Sequence, residues 1–162
     1  MTDPTTLVMT SADETRAFGR HLGAALRPGA VVLLSGDLGA GKTTLAQGIA
    51  TGLGVTDHVQ SPTFTLVAEY AGRTGDGTSI TLYHLDLYRL SGESDLESFG
   101  FDQYLDPVDG VTLIEWPERA GTWLPEAFGL IELEWAGTER RLVRLSTVPN
   151  GAPTFERFLG WS

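Results

Sequence analysis

The segment AVVLLSGDLGAGKTTLAQG, residues 30–48, constrains the fold more than any other part of the chain. AVVLLSG is a short apolar run without polar alternation, which suits a strand buried on both faces. It runs directly into Gly36-x4-Gly41-Lys42-Thr43, and a helical stretch, TTLAQGIATGLG, follows and closes at Gly54. Strand, glycine-rich turn and helix start in this order build a phosphate-binding loop, because the first N–H groups of the helix lack internal partners and point at an anion. The strand must therefore be internal to an α/β sheet.

The flanking segments extend that sheet. TTLVMT has strand character, and SADETRAFGRHLGAAL follows with Ser11 and Glu14 in capping-box spacing and Phe18, Leu22, Ala25 and Leu26 on one face. Pro28-Gly29 is the expected stop of that helix. TLVAEY and SITLYHL alternate around the glycine-rich AGRTGDGT and predict an antiparallel hairpin. ESDLESFGFDQYLD predicts an acidic helix broken at Gly100, and VTLIEW another buried strand. IELEW and RRLVRLS predict a closing hairpin in which Glu132 and Glu134 face Arg141 or Arg144. The expectation is a three-layer α/β phosphate-loop fold with a mixed parallel and antiparallel sheet, spanning residues 1–162 as a single domain.

Composition narrows the function classes. With 162 residues, 41% of them hydrophobic, the chain supports one core. No apolar run approaches the roughly 20 residues of a membrane span, and MTDPTTLVMTSADE lacks a signal-peptide pattern, so a soluble, cytoplasmic protein is expected. The absence of cysteine excludes disulfides and thiolate chemistry. A net charge of -10 argues against solitary nucleic-acid binding, which draws its affinity from Lys and Arg. Lys42, inside the loop, is the only lysine of the chain.

The loop binds phosphate and needs other groups for chemistry. Gly36, Asp37, Leu38, Gly39, Ala40, Gly41, Lys42, Thr43 and Thr44 form the candidate nucleotide cradle, with Lys42 on the outer phosphates and the Thr43 hydroxyl on Mg²⁺. Asp86 ends ITLYHLD and Glu115 ends VTLIE, so both fall at the C-terminal edge of strands, where open α/β sheets bind ligands. They are the candidate catalytic and metal-holding acids, although strand-end acids also serve as helix caps or solvated edges. In QSPTFTL, Pro62 keeps Ser61 extended and Thr63 offers a hydroxyl toward a γ-phosphate; a plain turn is the simpler alternative. Trp116 is either an aromatic wall of the nucleotide site or core. His84 and Arg89 flank Asp86 and are expected to orient it. The acidic run from Glu93 to Asp109 is a solvated face or a dock for a basic partner.

GDLGAGKTT, SPTFTL, YHLDLYRL, the E-x-x-G-x-x-x-Y form of ESFGFDQYL, and IEWPER, preceded by S-x-x-E-T at Ser11 to Thr15, together resemble the bacterial tRNA threonylcarbamoyladenosine biosynthesis ATPase family TsaE, formerly YjeE. The resemblance extends to about Pro125 and carries no functional residue from the tail beyond it. It implies ATP and Mg²⁺ as cofactors and TsaD and TsaB as partners. Their joint product is a threonylcarbamoyl group on the adenosine 3′ of the anticodon in tRNAs reading codons that begin with A, with tRNA met only through the complex. By position it also implies that Lys42 and Thr43 hold phosphate and Mg²⁺. Asp86 and Glu115 then serve metal and attacking water, Thr63 belongs to a switch-like segment, and Trp116 lies near the nucleotide.

Three other readings fit the loop alone. A small-molecule kinase usually clamps its acceptor with several lid arginines, but between Thr44 and Glu139 only Arg73, Arg89 and Arg119 occur. A GTPase switch would read guanine with N-K-x-D, which needs a second lysine. A nucleotide-sensing scaffold would keep Lys42 and Thr43 without using Asp86 or Glu115. No arginine follows the loop closely enough to be nominated as a finger.

Overall fold

Val31, Val32, Leu33 and Leu34 are all buried, and they divide alternately between two apolar clusters, one on each face of the sheet. That is the two-sided burial the unbroken apolar run predicts. The computed structural model describes residues 5–62 and 65–149. Along the chain these form β1 (Thr5–Met9), α1 (Ala12–Ala25), β2 (Val31–Ser35), α2 (Lys42–Gly52), β3 (Val67–Arg73), β4 (Ser79–Asp86), α3 (Glu93–Ser98), β5 (Gly110–Glu115), β6 (Phe128–Trp135) and β7 (Arg141–Val148). Single 3₁₀ turns occupy Phe101–Tyr104 and Pro117–Ala120.

All seven strands join one sheet in the order β1-β7-β6-β2-β5-β4-β3. The central pairs β6–β2, β2–β5 and β5–β4 are parallel, and the outer pairs are antiparallel hairpins or returns. The mixed three-layer architecture is therefore as the pattern implies. One face packs on α1 and α2 through Phe18, Leu22, Leu45 and Ile49. The other is covered by α3 and the two 3₁₀ turns, with Leu96, Phe101 and Ala120 buried beneath them. Gly100, at φ +71, breaks the acidic segment as expected.

Ser11 caps α1, its hydroxyl accepting from the Glu14 N–H at 3.1 Å. The helix ends earlier than its pattern suggests. Leu26 already leaves it in extended conformation, two residues before Pro28, and Pro28 in turn disfavours helical geometry at Arg27.

Glycines set the distance between α1 and α2. Gly19 of α1 meets Gly48 of α2, Gly23 meets the Ile49 backbone, and Gly52 meets the backbone of Arg20 and Ala24, the two glycines of each helix being spaced four residues apart on one face. A Cβ on Gly23 would stand 2.2 Å from the Ile49 carbonyl oxygen, and one on Gly48 2.4 Å from that of Arg16. The helices are thus in backbone contact, and only glycine permits it.

The closing hairpin forms with Glu132 opposite Arg144 and Trp135 opposite Arg141. Arg144 pairs with Glu134 at 3.5 Å, while Arg141 turns elsewhere.

Candidate functional site

Parallel register brings the sequence-distant candidates to one edge. Leu34 of β2 and Asp86 of β4 both lie beside Glu115 of β5, so the glycine loop emerges next to the two strand-end acids. Between them opens a cavity of about 410 Å³. Leu38, Gly39, Gly41, Lys42, Thr43 and Thr44 line one side, with Asp86, Tyr88, Glu115 and Trp116 on the other. Gly36 and Gly41 have φ of +153° and +104°, and a Cβ on Gly36 would meet the Leu133 carbonyl oxygen at 2.6 Å. Asp37 and Ala40 shape the loop rather than the cavity wall, the Ala40 N–H donating to the Asp37 carbonyl at 3.0 Å.

Lys42 is buried, donates from Nζ to the Gly36 carbonyl, and holds Nζ 3.5 Å from the centre of the Trp116 ring. Burial lowers its pKa from the usual lysine value, opposed by the charges of Glu115, Glu118, Asp86 and Asp37. Trp116 also packs on Tyr88, ring centres 4.9 Å apart. It is half-buried, forming a wall of the cavity while also packing on the apolar cluster beneath it. Its φ of +58° folds the chain back at the end of β5; such a conformation costs energy in a non-glycine residue and concentrates at functional sites. Leu66, at φ +68°, is the other non-glycine case among the described residues, and its carbonyl accepts the Asp86 N–H at 2.9 Å.

Thr43, Ser61, Glu115 and His84 form a chain of hydrogen bonds. Ser61 Oγ donates to Glu115 Oε2 at 2.8 Å, so its single proton is committed and the Thr43 hydroxyl, 2.8 Å away, is the donor to Ser61. His84 Nε2 reaches the same Oε2 at 2.7 Å. His84 consequently holds Glu115 and not Asp86, which corrects the expectation drawn from adjacency in the sequence. In a parallel pair the side chain on the same face two positions back is a diagonal neighbour, and His84, which pairs with Leu113, stands diagonal to Glu115.

The two acids are tuned in opposite directions. Burial pushes Glu115 up, but the His84 contact, the Ser61 hydroxyl and the Lys42 charge outweigh it and hold the carboxyl below the usual range. Burial pushes Asp86 up, the Tyr88 N–H at 3.0 Å resists, and the nearby Glu115 charge adds to the rise.

Three residues that sequence reasoning passed over line this cavity, Ser61, Tyr88 and Arg141. Ser61 could have been noticed as the hydroxyl fixed by Pro62. Arg141 carried no local signal: it lies in the tail, 101 positions from the loop carbonyl to which its Nε donates at 3.0 Å. Thr63 lies outside the described residues.

Hard oxygen donors converge here, and they fit a magnesium ion. A single hydroxyl, that of Ser61, bridges Thr43 Oγ1 and Glu115 Oε2, and Asp86 lines the same cavity. Among the described residues no group of three or more His, Cys, Asp or Glu could hold a metal by itself. Mg²⁺ needs no such cage, since it takes one or two protein carboxylates and fills its remaining positions with phosphate and water.

The family model described as threonylcarbamoyl adenosine biosynthesis protein TsaE matches residues 9–143. The chain belongs to the TsaE family. The matched span takes in the loop, both acids and Arg141. A protein of Bacillus subtilis named tRNA threonylcarbamoyladenosine biosynthesis protein TsaE is 42% identical over 138 residues, covering 85% of this chain and 82% of its own. One of the same name from Treponema pallidum is 44% identical over 119 residues, covering 74% and 83%. The crystal structure of Bacillus subtilis YdiB superimposes with a TM-score of 0.73 at 35% identity, covering 91% of this chain and 87% of that one.

Proposed function

We propose that this chain is a Mg²⁺-dependent ATPase subunit that turns over slowly alone and works with TsaD and TsaB in threonylcarbamoylation of tRNA. The observation that carries this reading is the Thr43–Ser61–Glu115 bridge, which gathers a phosphate-loop hydroxyl and a strand-end carboxylate within one hydroxyl of each other.

The loop amides and Lys42 bind the β- and γ-phosphates. A second cavity of about 210 Å³ shares Gly41, Thr44 and Arg141 with the first and continues past Thr15, Thr138 and Glu139; it receives the nucleoside, leaving the phosphates directed at Asp86 and Glu115. Thr43, Asp86 and Glu115 would hold Mg²⁺, which would supply charge stabilisation to the phosphates. His84 and Ser61 both bond Oε2 of Glu115, leaving Oε1 for the cavity, where it orients a water for in-line attack.

Slow turnover follows from the arginines. Among the described residues Arg141 alone of them lines the cavity, and four of its five N–H donors are committed to backbone carbonyls. Stabilisation of the transferring phosphoryl group, worth about 10³ to 10⁵ in rate from an arginine finger, is left to a partner. The acidity of the chain forbids tRNA binding on its own and suits docking to a partner. No described helix is long and apolar enough to cross a membrane.

The test is ATP consumption by the chain alone, then with TsaD and TsaB, with and without tRNA. Slow hydrolysis that rises on adding partners is expected. Rapid turnover unchanged by partners would reject the reading.

A further inference from the structure

Arg141 makes hydrogen bonds to four backbone carbonyls and, among the described residues, no ion pair. Nη1 donates to Arg140 at 2.9 Å and to Gly137 at 3.4 Å, which ties the guanidinium into its own hairpin turn. Nε donates to Ala40 at 3.0 Å and Nη2 to Gly39 at 3.2 Å, which ties it to the phosphate loop. An arginine can hold two successive carbonyls at once because its donors form a rigid planar fork.

We propose that Arg141 is a positioning residue for the phosphate loop, pinning the Gly39–Gly41 turn from outside so that the loop amides stay directed at a polyphosphate. The inference rests on the nucleotide reading above. In a trans peptide the C=O and the following N–H point in opposite directions. With the Ala40 carbonyl held on the guanidinium, the Gly41 N–H is turned away from Arg141. The Ala40 N–H is already committed to the Asp37 carbonyl, which makes the Gly41 amide the donor whose direction matters most in this turn. A cation bonded to the carbonyl also polarises the peptide and strengthens its N–H as a donor. The guanidinium, which among the described residues is in no ion pair, also brings positive charge to the edge of both cavities that Arg141 lines, beside the acids that share those walls.

The geometry separates this role from two others. A residue that touched the γ-phosphate would favour ATP over ADP. One that merely clasped the hairpin would change stability and leave the affinity of folded protein alone. A residue that shapes the loop acts on every phosphate-bearing nucleotide alike.

The experiment is calorimetric titration of ADP and of ATP, each with Mg²⁺, into the wild type, Arg141→Ala and Arg141→Lys, with thermal unfolding of each nucleotide-free protein. Arg141→Ala should lose about tenfold or more in affinity, by the same factor for both nucleotides. Arg141→Lys should recover part of that loss, since it restores the charge but cannot span two carbonyls, and it carries the test if Arg141→Ala does not fold. Affinity equal to wild type in both variants would overturn the proposal, as would a loss confined to ATP, or a lowered Tm with affinity unchanged. A wild-type protein that binds neither nucleotide would overturn the nucleotide reading itself, and this inference with it.

Discussion

His84 Nε2 lies 2.7 Å from Glu115 Oε2 across two parallel strands, and both side chains are buried. An ionised carboxylate only accepts, so Nε2 carries the hydrogen and Nδ1 is left as a buried nitrogen with no hydrogen-bond partner. The imidazole thus gives its one polar contact to Glu115. His84→Phe should lower ATP turnover by about 10- to 100-fold, the usual cost of losing a group that orients a ligand, with KM for ATP nearly unchanged. His84→Gln, whose amide can donate to the same oxygen, should recover part of kcat. Steady-state kinetics with the partner proteins present would check both.

Lys42 and Glu115 should separate binding from chemistry. On the proposed reading Lys42 meets the phosphates in ground and transition states alike, so Lys42→Ala should weaken ADP binding by about tenfold or more and abolish turnover with it. Glu115→Ala should keep most of the nucleotide affinity while hydrolysis falls by about 10²-fold or more. Calorimetry beside turnover measures the split, and wild-type hydrolysis in Glu115→Ala would remove Glu115 from the chemistry.

Asp86 places a cost on the fold. Its pKa is raised in the folded state, first by burial, so the ionised form is disfavoured there. The cost is fully present above the folded pKa and disappears below the unfolded value. Near neutral pH, Asp86→Asn should therefore raise the Tm of the nucleotide-free protein while weakening Mg²⁺-dependent ADP binding. The Tm advantage should shrink as pH falls into the acid range, which a series of melts at decreasing pH would show.

Trp116 faces the cavity over Lys42, so its emission should respond to ADP or ATP. The response should vanish in Trp116→Phe, where Trp123, Trp135 and Trp161 remain. A nucleotide-dependent signal that survives in this variant would place the reporter elsewhere.

Gly48→Ala tests the helix seam. The added methyl would meet the Arg16 carbonyl at 2.4 Å, an overpacking cost of about 1–3 kcal/mol that exceeds the roughly 1 kcal/mol gained in helix propensity. The Tm should fall by a few degrees. Gly75→Ala, with nothing within 4 Å of the new methyl, should leave the Tm unchanged.

What could be read in advance was what local spacing encodes. The phosphate loop is a contiguous pattern, and Asp86 and Glu115 stood out because each closes an apolar run. The partners of those residues were not legible, because they depend on how strands pair. Ser61 and Glu115 are 54 positions apart, and only the parallel register of β4 and β5 turns His84 toward the latter rather than toward Asp86. Arg141 reaches the loop from a strand that the hairpin pattern identified without saying what stood beside it. The glycine seam is a different case: GRHLG and GIATG are plain in the sequence, but a spacing of four tells nothing until two helices are known to meet.

That seam also decides how nucleotide state can leave the site. Because α1 and α2 touch through their backbones, no layer of side chains lies between them to absorb a sliding of one against the other. A displacement of the helix that begins at Lys42 must carry its neighbour with it, and with that the capped turn at Ser11. The helix pair is a fixed anvil. Ser61, Tyr88 and Trp116, which line the same cavity as Lys42, stand outside that seam.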